Sequence, residues 1–191
     1  FEARLSKVKT MYKKPAQLAS LNLIDSHDTK RALTIANNDI KRLKLAVAFQ
    51  MSYIGPPMIF YGDEIGIKGE DDPDCRRPMI WDESKQNKDL LKWYKKLIKI
   101  RNENPALRTG EVEVIKTDPA YNIHSFLRTK NESKILIIFN NSNAKVDLEF
   151  DVDELELTKE VVVDLITNKN YETNNNKLKV SISDYSVMII K

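Results

Sequence analysis

The chain has 191 residues, of which 41% are hydrophobic, and its 31 lysines and arginines against 28 aspartates and glutamates give a formal net charge of +3. This hydrophobic content excludes intrinsic disorder, and the interspersed charges lack the basic patch and reading motif that are typical of nucleic-acid-binding proteins. The single cysteine, Cys75, excludes an internal disulfide, and no apolar run approaches the ~20 residues that cross a bilayer.

The first part of the sequence alternates helical and short apolar segments. Residues 1–13 resemble the end of a helix, and the apolar run "LASLNLI" predicts a buried strand. Asp39 is expected to cap a helix that ends before the Gly-Pro-Pro sequence at 55–57. A second apolar strand, "MIFYGDEIG", follows. Strands that alternate with helices are typical of a parallel sheet covered by helices.

An amphipathic helix over "KDLLKWYKKLIKIRNEN" completes this part, and Pro105 marks the predicted boundary, because the residue before a proline disfavours helical geometry. Beyond Pro105 the hydrophobic period falls to two. Seven strand-like segments follow, separated by turn sequences: "EVEVIKT", "YNIHSFLR", "KILIIFN", "KVDLEF", "EVVVDLI", "KLKVSI" and "YSVMII". The pattern predicts an α/β part in residues 1–104 and an all-β antiparallel sandwich in residues 105–191.

The α/β part is incomplete by itself. Two strands with three helices cannot close a sheet, and the apolar runs at 21–24 and 58–61 require burial on both faces. We therefore expect further strands upstream and interpret the chain as the C-terminal part of a larger enzyme.

Ser26, His27 and Asp28 place the residue types of a hydrolytic triad side by side. Successive side chains of an extended segment point to opposite faces, whereas a triad needs hydrogen bonds that converge from separate segments. The triad interpretation is therefore rejected. His27 and Asp28 remain at the end of a predicted strand, where barrel enzymes place catalytic groups. The alternative is a structural histidine and a helix-capping aspartate.

The sequence "NLIDSHDTKR", followed by "GPPMIFYGDEIGIKGEDDPDCRRPMIWD", resembles the seventh and eighth strands of the α-amylase superfamily of glycoside hydrolases. The tail "DPDCRRPMIWD" is similar to the branch of neopullulanases, cyclomaltodextrinases and maltogenic amylases. This resemblance implies that residues 1–104 are the last part of a (β/α)₈ TIM barrel, with strands 7 and 8 and their helices. It also implies that residues 105–191 are an antiparallel β-sandwich, so the fold class is α/β plus all-β.

The resemblance also implies a retaining mechanism with three carboxylates. The aspartate nucleophile and the glutamate acid/base are expected upstream, and Asp28 matches the third carboxylate, a catalytic transition-state stabiliser. His27 matches a substrate-binding donor beside it. A carboxylate that accepts hydrogen bonds from sugar hydroxyls stabilises a transition state that resembles an oxocarbenium ion.

Asp72 and Arg76 resemble a substrate-binding pair that lines a glucose subsite on the non-reducing side of the cleavage point. A carboxylate and a guanidinium suit contacts with vicinal hydroxyls, and the alternative is a salt bridge that fixes the loop. The acidic residues Asp71, Asp72 and Asp74 lack the ligand order of an EF-hand calcium loop. We expect neither a metal nor a cofactor.

Other candidate residues are interpreted as structural: Asp63, Glu64, Cys75, His124 and Trp93. Asp63 and Glu64 are neighbours, and neighbouring carboxylates cannot flank one glycosidic bond. Trp81 is either a sugar-stacking residue or a loop residue. Asp25 replaces the glycine of many relatives, and its carboxylate either raises the pKa of Asp28 or points away from it.

The expected function is that of a retaining α-glucan hydrolase. It acts on α-1,4 linkages, with α-1,6 linkages as an alternative, of maltodextrins, cyclodextrins or pullulan in carbohydrate metabolism. The expected partners are the substrate oligosaccharide, the upstream half of the barrel and a second copy bound through an N-terminal domain. We expect a cytoplasmic location and no turnover by the 191 residues alone. The alternative is a non-catalytic carbohydrate-contacting or structural module.

Overall fold

The computed structural model describes residues 2–155 and 160–191. In this part of the chain, helices precede strands. The helices are α1 (Glu2–Met11), α2 (Lys14–Ala19), α3 (Ala32–Ile35), α4 (Ile40–Ser52), α5 (Lys88–Glu103) and α6 (Pro105–Thr109). Single 3₁₀ turns occur at Asp63–Ile65, Asp74–Arg76 and Glu83–Lys85. None of the helices in these two ranges has the length and apolarity that a membrane span requires.

Side-chain caps define where the two long helices begin. The Asp39 carboxylate accepts the backbone N–H groups of Lys41 at 2.8 Å and Arg42 at 3.3 Å, so the predicted cap of α4 is confirmed. Asn87 caps α5 in the same way, because its Oδ1 accepts the N–H of Leu90 at 2.9 Å. Satisfying these free N–H groups fixes the direction in which each helix leaves its loop.

The first predicted strands meet only briefly. Within the described residues, one parallel bridge joins Asn22 of the run at 21–24 to Pro57, the residue before the run at 58–61. Leu21 is 56% exposed and Leu23 is 48% exposed, so these runs lack, in this structure, the burial on both faces that their sequence requires. The physical reason is that this bridge provides each run with a paired neighbour on one side only. The parallel direction of the pair agrees with the prediction.

The second part of the chain forms an antiparallel sheet. Its eight described strands are β1 (Glu111–Asp118), β2 (Ile123–Lys130), β3 (Ser133–Asn140), β4 (Val146–Asp151), β5 (Val161–Asp164), β6 (Lys169–Asn174), β7 (Lys177–Ile182) and β8 (Ser186–Ile190). Their order is β1-β2-β3-β8-β5-β6-β7-β4, and the sheet curls into a sandwich. The sequence predicts seven strands and misses β6, whose residues "KNYETN" are mostly polar and exposed.

Strand β3 connects two hydrophobic cores. Ile135 and Ile137 pack with α4, α5 and α6, while Leu136 and Ile138 pack with β4 and β7 on the other face of the sheet. All four side chains are fully buried. Burying each such side chain contributes about 1.5–3 kcal/mol, so the helices and the sheet stabilise one another through β3.

Two arginines hold the end of α4, one from α5 and one from the sheet. Arg101 donates to the carbonyl oxygens of Met51 and Gly55, both at 2.7 Å. Arg128, on β2, donates to the carbonyl oxygens of Ser52 and of Gly110. Carbonyl groups at a helix C-terminus carry partial negative charge, so a guanidinium is a suitable partner there. These contacts fix the position from which the chain enters residues 56–61.

Candidate functional site

The candidate site begins in residues 25–31, which we call the site turn. Ser26 organises it, because its Oγ accepts the backbone N–H of Asp28 at 3.2 Å and its own N–H donates to Thr29 Oγ1 at 3.0 Å. Hydroxyl-to-backbone bonds of this kind stabilise tight turns. The serine therefore shapes the turn, while the side chains of His27 and Asp28 are 62% and 68% exposed.

The structure brings the four sequence-predicted site residues into one cluster. His27 Nε2 lies 3.2 Å from Asp28 Oδ1, and Arg76 Nη2 lies 3.5 Å from the same oxygen. Arg76 Nε lies 2.8 Å from Asp72 Oδ1 and donates to the carbonyl oxygen of His27 at 3.1 Å. Arg76 therefore links both carboxylates to the backbone of the site turn.

The cluster contributes little to stability. The four side chains are each about half exposed or more, and exposed ion pairs typically contribute about 0.2–1 kcal/mol. Its polar groups face solvent, where a hydroxylated ligand can displace water from them. The geometry therefore suits binding better than folding.

Residues 69–77, which we call the acidic loop, hold Arg76 against the site turn. Gly69 allows the loop to close on itself, since a Cβ there would lie 2.7 Å from the carbonyl oxygen of Asp74 and 2.8 Å from the Cα of Cys75. Asp74 accepts two bonds from Arg77, at 2.7 and 2.9 Å. Arg77 and the backbone N–H of Glu70 hold the pKa of Asp74 below its ordinary value.

Further contacts join the acidic loop to the site turn. The buried thiol of Cys75 donates to the carbonyl oxygen of His27 at 3.1 Å, which agrees with its interpretation as a structural residue. Lys30 lies 2.7 Å from Glu70 and 3.5 Å from Asp71, and the hydrogen bond to Glu70 raises the pKa of Lys30. The acidic run therefore pairs with basic side chains.

Sequence reasoning missed Arg31, which is fully buried behind the cluster. Its guanidinium donates to the carbonyl oxygens of Cys75 at 2.7 Å and Tyr61 at 2.6 Å, and it lies 3.4 Å from Asp63 Oδ1. The guanidinium carbon also lies 4.0 Å from the ring centre of Phe60. An arginine directly before the apolar start of α3 is the signal that could have revealed this role.

Asp25 points away from Asp28. Only 3% of its surface is exposed, and its Oδ2 accepts the N–H of Ala32 at 2.6 Å. The structure therefore favours the alternative in which the Asp25 carboxylate points away from Asp28. Asp25 lies near Asp63 and contributes to the raised pKa of Asp63.

Asp63 and Glu64 occupy structural positions, as predicted. Asp63 is buried, and burial, with Asp25 nearby, raises its pKa although Arg31 opposes the rise. Glu64 Oε2 accepts the N–H of Gly62 at 2.9 Å. Gly62 has a φ of 88°, a backbone conformation that glycine adopts without strain.

The remaining candidates lie outside the cluster. Trp93 packs partly against the core and donates its indole N–H to the carbonyl oxygen of Lys44 at 3.1 Å. His124 is buried 3.6 Å from Glu2, and burial lowers its pKa. Trp81 is 81% exposed, and its stacking role stays a prediction. Across residues 2–155 and 160–191, no group of three or more His, Cys, Asp or Glu side chains is arranged to hold a metal ion.

Comparison with known proteins adds to this geometry. The family described as "Alpha amylase, catalytic domain" matches residues 2–110. The chain belongs to the α-amylase family. A second family, described as "Maltogenic Amylase, C-terminal domain", matches residues 112–189. These matches confirm the resemblance and the fold class that the sequence predicts.

Individual relatives point to one branch of the α-amylase family. Neopullulanase 2 of Thermoactinomyces vulgaris is 37% identical over 190 residues, which cover all of this chain and 32% of that protein. The intracellular maltogenic amylase of Bacillus subtilis (strain 168) is 44% identical over 131 residues, 68% of this chain and 22% of that protein. A solved cyclomaltodextrinase structure superimposes with a TM-score of 0.89 at 33% identity, covering 97% of this chain and 32% of that one. The chain thus spans about a third or less of the length of these relatives.

Proposed function

We propose that this chain is the C-terminal part of a retaining α-glucan hydrolase. The substrates are maltodextrins, cyclodextrins or pullulan, cleaved at α-1,4 linkages, with α-1,6 linkages as the alternative. The observation that carries the proposal is the arrangement of the Asp28 carboxylate. Within the described residues, the side chains of His27 and Arg76 both reach its Oδ1. Its Oδ2 is therefore the oxygen offered to a ligand.

Asp28 acts in this proposal as the transition-state stabiliser. The reacting sugar ring gains positive charge in the transition state, and an ionised carboxylate that accepts its hydroxyl hydrogens binds that state more tightly than the ground state. His27 is the proposed donor to the same sugar, and its Nε2 lies 3.2 Å from Asp28 Oδ1. His27 and Asp28 thus bind the substrate without attacking it.

Asp72 and Arg76 form the proposed subsite. The pair can line a glucose subsite and also fix the loop. Arg76 fixes the loop through the His27 carbonyl oxygen and still exposes 48% of its side chain. A guanidinium and a carboxylate held 2.8 Å apart present donors and acceptors to adjacent sugar hydroxyls.

The rest of the active site is proposed to lie in other residues of the polypeptide. The aspartate nucleophile and the glutamate acid/base come from the upstream half of the barrel, so residues 1–104 complete a barrel and residues 105–191 form a separate all-β domain. The length of the relatives supports this proposal, since this chain covers 32% of Neopullulanase 2. We propose no turnover by the 191 residues alone, a homodimer formed through an N-terminal domain, and a cytoplasmic location. The location is supported by the relative named an intracellular maltogenic amylase.

The test is the substitution Asp28→Asn in the full-length polypeptide that carries this sequence. An amide cannot match an ionised acceptor, so kcat on maltodextrin and cyclodextrin is expected to fall roughly 10³-fold while the substrate still binds. The matched control is Asp71→Asn, which alters a carboxylate 80% exposed in the acidic loop and paired with Lys30. Its kcat is expected to stay within about twofold of the wild type.

Near-normal kcat in Asp28→Asn would contradict the proposed role and leave Asp28 as a turn residue. An equal loss in Asp71→Asn would show that any charge change in this region disturbs the enzyme. The alternative function, a carbohydrate-contacting module without turnover, is supported if the native polypeptide has the mass of these 191 residues and does not hydrolyse maltodextrin.

A further inference from the structure

Two buried carboxyl groups connect the site turn to the 3₁₀ turn at Asp63–Ile65. Asp25 and Asp63 each expose only 3% of their surface. Asp25 Oδ2 accepts the N–H of Ala32 at 2.6 Å, and Asp63 Oδ1 faces Arg31 Nη1 at 3.4 Å. Each carboxyl group thus has one oxygen facing a donor of the chain.

The other two oxygens face an unusual environment. Asp25 Oδ1 and Asp63 Oδ2 are buried and accept no hydrogen bond from a donor among the described residues. A side-chain hydrogen bond with Asp25 is one of the causes that raise the pKa of Asp63, so the two carboxyl groups are neighbours. Two ionised carboxylates cannot bond together, whereas a carboxylic acid donates to a carboxylate. One proton between these two oxygens satisfies both.

The charges around the pair favour the same arrangement. Arg31 supplies one positive charge, while Glu64 on the same 3₁₀ turn adds a negative one. Tyr94 on α5 is neutral, because burial and the nearby carboxylates raise its pKa. Two ionised aspartates would leave a buried negative charge without compensation, which is costly. Burial, followed by the neighbouring Asp25, raises the pKa of Asp63 to about 9 against the opposing effect of Arg31.

We propose that Asp63 keeps one proton and donates it to Asp25, and that this carboxyl–carboxylate hydrogen bond positions the site turn and therefore Asp28. The positioning role rests on the proposed function of Asp28, three residues further along the chain. Asp25 and Asp63 are positioning residues that contact no substrate. Arg31 supports the same turn, because its N–H donates to the carbonyl oxygen of Gly69 at 2.9 Å and ties the turn to the acidic loop.

A proton held only in the folded state makes stability depend on pH. The folded-state pKa of Asp63 lies above its ordinary value of 3.8, so between pH 4 and pH 9 the folded protein binds one more proton than the unfolded protein. The stabilisation is complete below the ordinary pKa and is lost as the pH rises through the folded-state pKa. For one proton, the unfolding equilibrium constant rises about tenfold per pH unit in this window.

The direct test is an NMR titration of the full-length polypeptide, labelled with ¹³C at the aspartate carboxyl groups. In the wild type, one aspartate carboxyl is expected to titrate at alkaline pH. No aspartate is expected to do so in Asp25→Asn or Asp63→Asn, because an amide N–H then donates in place of the proton. A wild type whose aspartates all titrate below about pH 6 would overturn the proposal, as would an alkaline titration that persists in Asp25→Asn.

A second measurement separates positioning from mere structure. Asp25→Ala removes the bond and is expected to lower kcat at least tenfold at neutral pH, and Asp25→Asn is expected to recover most of that loss. If Asp25→Ala retains wild-type kcat, the positioning role is wrong. If Asp25→Ala does not fold, the pH profile of Asp25→Asn decides. The ratio of the wild-type kcat to the Asp25→Asn kcat should fall as the pH rises through about 9, because deprotonation of the acid/base lowers both kcat values alike. A constant ratio would overturn the role. An equal loss in Asp25→Asn would overturn the role.

The titration requires no substrate. Near-normal kcat in Asp28→Asn together with an alkaline aspartate titration would therefore contradict the proposed function and leave the shared proton in place. A large loss of kcat in Asp28→Asn without an alkaline titration would contradict only the shared proton.

Discussion

Two fully buried arginines occupy different environments in this protein. Arg31 lies behind the candidate site, where it faces Asp63 at 3.4 Å and the Phe60 ring at 4.0 Å. Arg128 lies between α4 and the sheet, where it donates to the carbonyl oxygens of Ser52, Gly110 and Glu111. One guanidinium is paired with an acid, and the other is solvated by the backbone.

This difference distinguishes an arginine that supports the candidate site from an arginine at the junction between α4 and the sheet. Arg31 belongs to a network of ionisable groups that holds two loops, and these loops expose four polar side chains to solvent. Arg128 satisfies carbonyl groups that would otherwise be buried without donors, and it exposes nothing. Burial and the nearby Arg101 lower the pKa of Arg128 to about 9. Buried charge therefore supports the candidate site at the first place and packing at the second.

The largest effect is expected from Arg31→Met in the full-length polypeptide. The substitution leaves the buried aspartates without their positive partner, so the free energy of unfolding should fall by about 3–5 kcal/mol. The site turn also loses its ties to Cys75 and Tyr61, so kcat should fall as well. Urea denaturation and initial-rate kinetics measure the two effects. The control Arg77→Met, at an exposed arginine of the acidic loop, should cost less than about 1 kcal/mol. Equal, small losses in both variants would contradict the role given to Arg31.

A smaller effect is expected from Arg128→Met. Its hydrogen bonds to backbone carbonyls are lost, but no acid is left unpaired and the methionine fills part of the space, so the loss should be about 1–3 kcal/mol. The same urea denaturation measures it. The folded variant should keep the kcat of the wild type, because Arg128 contacts the end of α4 and not the site turn. A loss of kcat as large as that of Arg31→Met would remove the distinction between site and junction.

The smallest change in stability is expected from Arg76→Lys. This side chain is 48% exposed, so the free energy of unfolding should change by less than about 0.5 kcal/mol. A lysine cannot reproduce the planar pair of donors, so KM for maltodextrin should rise roughly tenfold. Steady-state kinetics with urea denaturation on the same sample separates the two quantities. A clear loss of stability with unchanged KM would support the loop-fixing salt bridge alone.

The sequence predicts much of the fold because the relevant signals are local. The cap at Asp39 and the alternation in β4 and β7 depend on neighbouring residues, and the structure confirms both. Strand β6 is missed because its pairing with β5 and β7 decides its conformation, not its polar sequence. The apolar runs at 21–24 and 58–61 are exposed for a similar reason. Whether they are buried depends on neighbouring segments, which the periodicity of a sequence does not reveal.

The candidate site divides in a similar way. His27, Asp28, Asp72 and Arg76 were predicted through motifs, and the structure brings them together, while their roles stay predictions. Arg31, Asp25 and Asp63 act through contacts between segments that are about 30 to 45 residues apart in the chain. A buried charge looks like any other charge in a sequence, so its partners become visible only when the fold is known.

The central claim is that Asp28 binds the transition state more tightly than the substrate. The most direct measurement is calorimetry on the wild type and Asp28→Asn in the full-length polypeptide, with maltotriose and with a cationic sugar analogue that mimics the oxocarbenium ion. The account predicts that the substitution weakens the analogue at least ~100-fold more than maltotriose. Equal weakening of both ligands would contradict it, because Asp28 would then contribute only to ground-state binding.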